Sequence, residues 1–288
     1  MPQQPLIVVP IDWSEQSMIA LEQACNVAKT LNHSLLLLHV KDAPGIFKTA
    51  SAKAYHEEEE KEITEHLKKT ADELIQKWGI NVNFEVRTGK IYDKISEVAE
   101  ENEASFIVMG TNGSVGIKRF IGSNALRVVK ESKVPVITIK GKVHSRGCKT
   151  IVLPLDLTKE TREKVGKAID FAKSFGSEIR IVSVLETHDE FISNHLKRQL
   201  SQVHRYIVDH GIKAQSELIE KNGTVANTII EYSNKVNADL IMIMTQQEND
   251  FTDLFIGSQA QAIINHSEIP VLSIIPRPTE SHISSIFQ

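Results

Sequence analysis

Cysteine is scarce: the 288 residues contain two, Cys25 and Cys148. They are far apart in sequence, form no C-x-x-C pair and follow no secretory leader, which argues against a disulfide scaffold. We read them as free thiols, which points to the cytoplasm. Charge of one sign is also lacking. A net charge of −4 offers no basic footprint to a nucleic-acid backbone and no polybasic patch to an anionic membrane, so the expectation is no nucleic-acid and no membrane partner. Long hydrophobic runs are missing as well. No window approaches the roughly 18 apolar residues that span a bilayer, and the opening "MPQQPLIVVPID" has neither the charged start nor the apolar length of a secretory leader. The catalytic signatures G-x-S-x-G and H-E-x-x-H are absent. The eleven histidines are scattered; His39 ends an apolar run, and His204 and His210 have no cysteine or carboxylate arrangement around them that defines a metal site.

What is present is ordinary globular material, with 41% hydrophobic and 24% charged residues. A chain of this length is at the upper limit for one core and comfortable for two domains of roughly 140 residues each.

The chain is written twice. "LIVVPIDWS" at Leu6 to Ser14 returns as "TIVLPLDLT" at Thr150 to Thr158, an offset of 144. "ASFIVMG" returns as "ADLIMIM", and "VPVITI" at Val134 returns as "IPVLSI" at Ile269, with offsets of 134 and 135. The order of segments is preserved, and the drop in offset places an excess of ten residues in the first half between Val40 and Gly89. Between the halves "KGKVHSRGCK" is polar and aperiodic, a linker near Gly141 to Lys149. The reading gives two domains, residues 1–141 and 149–277.

Periodicity alternates within each half. The runs "LIVVPI", "SLLLLHV", "NVNFEV", "SFIVMG" and "VPVITI" are nearly all apolar, as strands buried on both faces of a parallel sheet are. Between them run helical stripes: Ser17, Leu21, Ala24, Ala28 and Leu31 behind a Ser14 cap; Ile63, Leu67, Ala71, Leu74 and Trp78; and, in the second half, Ile192, Leu196, Leu200, Val203 and Ile207. Glu57 to Glu60 are expected on or before the first turn of the second stripe's helix, where its dipole favours acids. About five strands and five helices per half imply two tandem, doubly wound α/β domains, each an open parallel five-stranded sheet flanked by helices, Rossmann-like in class. Pro135 and Pro270 fall at equivalent places in the last strands, which reads as an edge strand ending each half.

In such a sheet ligands bind outside the carboxyl ends of the strands, where strand order reverses. Two segments fall there. Asp12 follows the first strand, in "VVPID". Behind the fourth strand, "GTNGSVGIKRFIGSN" sets Gly110, Gly113, Gly116 and Gly122 ahead of Ser123 and Asn124, which open a helix. Glycines let backbone amides approach an oxyanion, and a helix N-terminus adds free N–H groups. Lys118 and Arg119 add positive charge. The spacing is neither G-x-G-x-x-G nor a Walker A run, so glycine content alone leaves open whether this is a phosphate cradle or a plain connection.

With its setting, the loop resembles that of the universal stress protein family, and the resemblance to a tandem, two-domain member covers nearly the whole chain. ATP-binding members carry G-x2-G-x9-G-[S/T] after the fourth strand; "GTNGSVGIKRFIGS" is similar, with eight residues instead of nine between Gly113 and Gly122. The resemblance implies an adenine nucleotide alpha hydrolase-like fold whose first domain holds ATP, or ADP or AMP given the shortened loop, with Mg²⁺ as a companion. Pro10, Ile11, Asp12 and Val40 would meet the adenosine portion. Met109, Gly110, Gly113, Gly122, Ser123 and Asn124 would surround ribose and phosphates. It further implies a stress-response role exercised through conformation or partners, and pairing of the two domains within the chain through Val134, Pro135, Val136 and Ile269, Pro270, Val271, leaving room for a homodimer. In the second half Met244 and Gln247 replace Gly110 and Gly113, and Glu248, Asp250 and Asp253 stand where the first loop carries cations. That half, with Asp156 and Val184 retained, is expected not to bind ATP. The alternatives are a scaffold that binds no nucleotide, and a slow ATP hydrolase in which Asp12 and a metal orient water; no residue is assigned to catalysis.

Overall fold

The computed structural model describes residues 4–41, 50–111, 122–141, 147–155, 161–187, 189–245 and 256–275, with side chains from residue 58 in the second of these stretches and from 164 in the fifth. The first half runs β1 (Leu6–Pro10), α1 (Glu15–Leu31), β2 (Ser34–Lys41), α2 (Ala50–Trp78), β3 (Val82–Thr88), α3 (Ile91–Glu101), β4 (Phe106–Gly110), α4 (Ser123–Glu131) and β5 (Val136–Ile139). The second repeats it as β6 (Thr150–Pro154), α5 (Thr161–Phe175), β7 (Glu178–Leu185), α6 (Glu190–Asp209), β8 (Ala214–Glu220), α7 (Val225–Lys235), β9 (Leu240–Met244), α8 (Ser258–His266) and β10 (Val271–Ile274). Each half therefore has five strands and, among the described residues, four helices, one for each crossover between successive strands.

The strands do not form two separate sheets. They lie in one ten-stranded sheet of order β3-β2-β1-β4-β5-β10-β9-β6-β7-β8. Pairing is parallel within each half and antiparallel only at the seam, where Thr138, Ile137 and Val136 face Val271, Leu272 and Ser273. A strand edge exposes a row of unpaired N–H and C=O groups, and joining β5 to β10 removes one such edge from each half. β5 and β10 are thus central, not edge strands. Pro135 and Pro270 stand just ahead of them, outside the seam ladder. Their carbonyls accept from Ile107 N and Ile241 N, each at 2.9 Å, so the prolines meet β4 and β9 as acceptors, a role that needs no N–H. Val134, Pro135, Ile269 and Pro270 accordingly take no part in the strand pairing between the halves. Two side chains reinforce the join: Lys140 Nζ donates to Asn265 O at 2.5 Å, and Gln16 Nε2 to Gly141 O at 3.2 Å.

Successive side chains of a strand point to opposite faces, and because these strands are apolar throughout, both faces are packed. One core takes Ile7, Val9, Leu35, Leu37, Ile137 and Leu272 under α1, α2, α5 and α6. The other takes Val8, Leu36, Leu38, Val136 and Val271 under α3, α4, α7 and α8. The helical stripes supply the covering layer: Leu21, Ala24, Ala28, Leu67, Ala71, Leu200, Val203 and Ile207 are all buried. Ser14 caps α1 by accepting from Ser17 N at 3.2 Å.

The extra residues of the first half are mostly helix, α2 having 29 residues against 20 in α6. Because α2 already begins at Ala50, Glu57 to Glu60 lie beyond its first turn, out of reach of the helix dipole. Glu60 instead pairs with Lys41 at the end of β2, at 2.9 Å.

Both thiols are buried, and burial pushes each up to about 12. Since the thiolate is the reactive form, neither cysteine is expected to react with a soluble aromatic disulfide in the native protein, and both should react in denaturant. A thiol titrated under native conditions would contradict the packing around α1 or around Cys148.

Candidate functional site

The chain leaves β1 for β2 on one side and reaches β4 on the other, so strand order reverses between β1 and β4. The registers set what meets there. Pro10 lies opposite Leu38, and Val8 opposite Ile107. Continued by a few residues, these registers bring Asp12 level with Val40 and Thr111 at the carboxyl edge. The ladder continues in part, with Ile11 N donating to Leu38 O at 2.8 Å and Thr111 N to Ile139 O at 3.0 Å.

Asp12 is exposed, and its Oδ1 accepts from Ser14 N at 3.0 Å. Partial burial works against ionisation, but hydrogen bonds from Ser14 and Ser17 outweigh it and hold the carboxyl below its ordinary value. Asp12 is therefore a carboxylate at neutral pH, an acceptor suited to a hydroxyl or amine and repelled by phosphate.

The other expected site residues divide into two groups. Pro10 and Val40 are half-buried at strand ends. The side chains of Ile11 and Met109, by contrast, are core residues on opposite faces of the sheet, which leaves only their backbones to meet a ligand. Gly110 ends β4, and a Cβ built on it would stand 2.8 Å from both the carbonyl carbon and the oxygen of Gln16. This glycine is required by the close approach of α1 to β4. Gly113, Gly116, Lys118 and Arg119 lie outside the described residues. Past them, Gly122 N donates to Thr111 O at 2.5 Å. Gly122 is the N-cap of α4 and supplies no side-chain cap, whereas Ser14, Asp189 and Thr224 do cap α1, α6 and α7. Ser123 is exposed and Asn124 half-buried in the first turn of α4.

Trp13 carries no sequence signal strong enough to single it out, and His39 is marked in the sequence only by ending an apolar run. Trp13 has a left-handed backbone, φ 55°, and its indole stacks on His66 of α2 at 4.6 Å and 3° and leans on His39 of β2 at 4.8 Å and 33°. His39 Nδ1 lies 2.7 Å from Ile11 O; a carbonyl only accepts, so Nδ1 carries the proton. Ser183 Oγ makes the same bond to Leu155 O at 2.9 Å in the second half, which identifies the role of His39 as satisfying a carbonyl at the end of β1. In the second half, Lys164 likewise carries no sequence signal. It stands where the 144-residue offset places Ala20, is 6% exposed, and donates to Pro154 O at 2.8 Å at the mouth of the second half. His204 and His210 likewise bond to carbonyls, of Ala214 at 3.1 Å and Tyr206 at 2.7 Å. Asp156, Gln247 and the acids of the second loop lie outside the described residues. Gly257, like Gly122, caps its helix without a side chain and donates to the preceding loop, to Thr245 O at 3.1 Å.

A model of the universal stress protein family matches the chain twice, over residues 6–140 and 147–274, and the chain belongs to that family, with its domain present in tandem. Universal stress protein MJ0531 of Methanocaldococcus jannaschii is 34% identical over 138 residues, 46% of this chain and 81% of the relative. MJ0577 of the same organism is 28% identical over 154 residues, 47% of this chain and 94% of its own length. Among solved structures, a universal stress protein from Archaeoglobus fulgidus shares the fold across 95% of this chain and 99% of its own, with a TM-score of 0.76 at 23% identity.

Proposed function

We propose that the first half binds an adenine nucleotide, ATP or in its place ADP or AMP, and that the second half is its structural partner. The observation that carries this reading is the coincidence at one switch point of an ionised, exposed Asp12 behind β1 and, behind β4, an α4 N-terminus that Gly122 leaves without a side-chain cap, which the sequence G-x2-G-x8-G-S precedes. The two ends suit opposite ends of a nucleotide. Asp12, with Pro10, Val40 and the backbone at Ile11, would take the adenosine portion. The α4 N-terminus, with Ser123, Asn124, Gly113 and the backbone at Met109 and Gly110, would take ribose and phosphates, since helix N-termini and free amides favour anions. Mg²⁺ would accompany the phosphates. The buried ammonium of Lys164, and Met244 in place of a glycine, support a second half that holds its own contacts without a nucleotide. Regulatory output through conformation or partners follows from binding without assigned catalysis.

Calorimetric titration of the nucleotide-stripped chain with ATP and Mg²⁺ tests the reading. The expected result is one site per chain. Two sites would show that the second half also binds, and no heat across the temperature range would favour a scaffold that binds no nucleotide.

A further inference from the structure

We propose that Trp13 is a positioning residue of the nucleotide site and couples it to α2, so that occupancy beside Asp12 is felt in that helix; this rests on the nucleotide reading of the first half. Three observations converge on the residue.

The first is conformational. A bulky side chain in the left-handed region, φ 55° here, is an outlier that persists only where its surroundings over-determine it. The second is what those surroundings are. The indole lies against His66, from the middle of α2, and against His39, which is fastened to Ile11 O and adjoins Val40. His66 in turn precedes Leu67, which is fully buried in the core beneath α2. Trp13 is therefore a wedge with one side on the rim of the site and the other on α2. Its Nε1 is buried and has no hydrogen-bond partner among the described residues, so the stacks hold the ring in place without a polar anchor. The third is local linkage. The Asp12 carboxylate accepts from Ser14 N across Trp13, and Ser14 also caps α1. Any rotation at Trp13 displaces the carboxylate and the cap together.

A ligand that draws on Asp12 thus acts on a three-residue turn whose middle side chain is pressed against α2. The second half lacks this arrangement at the equivalent of His39, where Ser183 makes the carbonyl bond without presenting a ring. The coupling is a property of the nucleotide-binding half.

The test uses the full chain with Trp78→Phe, which leaves Trp13 as the sole tryptophan of the two in the sequence. ATP with Mg²⁺ is titrated while Trp13 emission and amide hydrogen exchange over residues 58–78 are followed, with calorimetry in parallel. Emission should change saturably at the calorimetric Kd, and exchange in α2 should slow. His66→Leu keeps apolar bulk but removes the stacked ring; it should weaken binding about tenfold, within the usual span of coupling between sites, and abolish the exchange effect. Trp13→Phe should bind more tightly than Trp13→Leu. Heat of binding with unchanged emission and unchanged α2 exchange would overturn the coupling and leave the nucleotide reading standing. Parent affinity in His66→Leu, or in a folded Trp13→Leu, would do the same. Absence of heat in the parent overturns both. Should Trp13→Leu fail to fold, the emission titration and His66→Leu decide the matter.

Discussion

Gly110→Val is expected to destabilise the chain by about 1–3 kcal/mol, the range for forcing atoms into a filled interior. The reason is geometric: the new Cβ would sit 2.8 Å from two backbone atoms of Gln16, and backbone, unlike the end of a flexible side chain, cannot step aside. Helix α1 would have to withdraw from β4, and Ser14 and Asp12 would move with it. For a chain of this size the loss corresponds to a fall in melting temperature of roughly 2–4 °C per kcal/mol, readable by circular dichroism. Met244 occupies the equivalent position in the second half, and Met244→Gly, which removes a half-buried side chain, provides the contrast because it creates no overlap. An unchanged melt in Gly110→Val would mean that α1 and β4 do not approach as closely as the structure places them. Lost nucleotide binding in this variant, however, would not identify a phosphate contact, since packing alone accounts for it.

Gly113→Val is the cleaner probe of the phosphate cradle, and it is expected to weaken ATP binding at least tenfold, about 1.4 kcal/mol. On the proposed nucleotide reading, a branched side chain at that position in the glycine loop would stand where a phosphate approaches backbone N–H groups, and hydrogen bonds to a charged group contribute about 1.5–3 kcal/mol each. The melting temperature should hold, which separates this outcome from that of Gly110→Val. Calorimetry on the two variants side by side makes the distinction. Parent affinity in Gly113→Val would remove the loop from the site and leave Asp12 with a helix N-terminus as a weaker case.

These two glycines also show how far a sequence can be read. Both belong to one spacing motif and look alike in it. Only the structure shows that Gly110 is demanded by the approach of Gln16 on α1, a contact between segments far apart in the chain. The helical stripes, by comparison, were legible in the main: Leu67, Ala71 and Trp78 on α2, and Leu196, Leu200, Val203 and Ile207 on α6, are buried as their spacing requires, while Leu31, Ile63, Leu74 and Ile192 at the stripes' margins are only half-buried. Repetition in the sequence likewise located the extra length in the α2 crossover. The expected start of that helix falls too late, because the acidic run Glu57 to Glu60 is the more conspicuous signal, whereas the helix begins at Ala50, directly behind the cap-type residue Thr49 in the sequence.

Local spacing by itself therefore determined the alternation of strands and helices, the faces they bury, the doubling of the chain and the position of a glycine loop at a strand's carboxyl end. Each follows from side-chain period and backbone chemistry within one segment. Tertiary structure alone decided that the two halves share one sheet through Val136–Thr138 and Val271–Ser273, that Pro135 and Pro270 accept hydrogen bonds outside the seam ladder, and that Trp13 is held between two histidines from different elements. It also decided that a buried lysine fills a place where the first half has alanine. These depend on which surfaces meet after the chain has folded, and no spacing within a segment encodes that meeting.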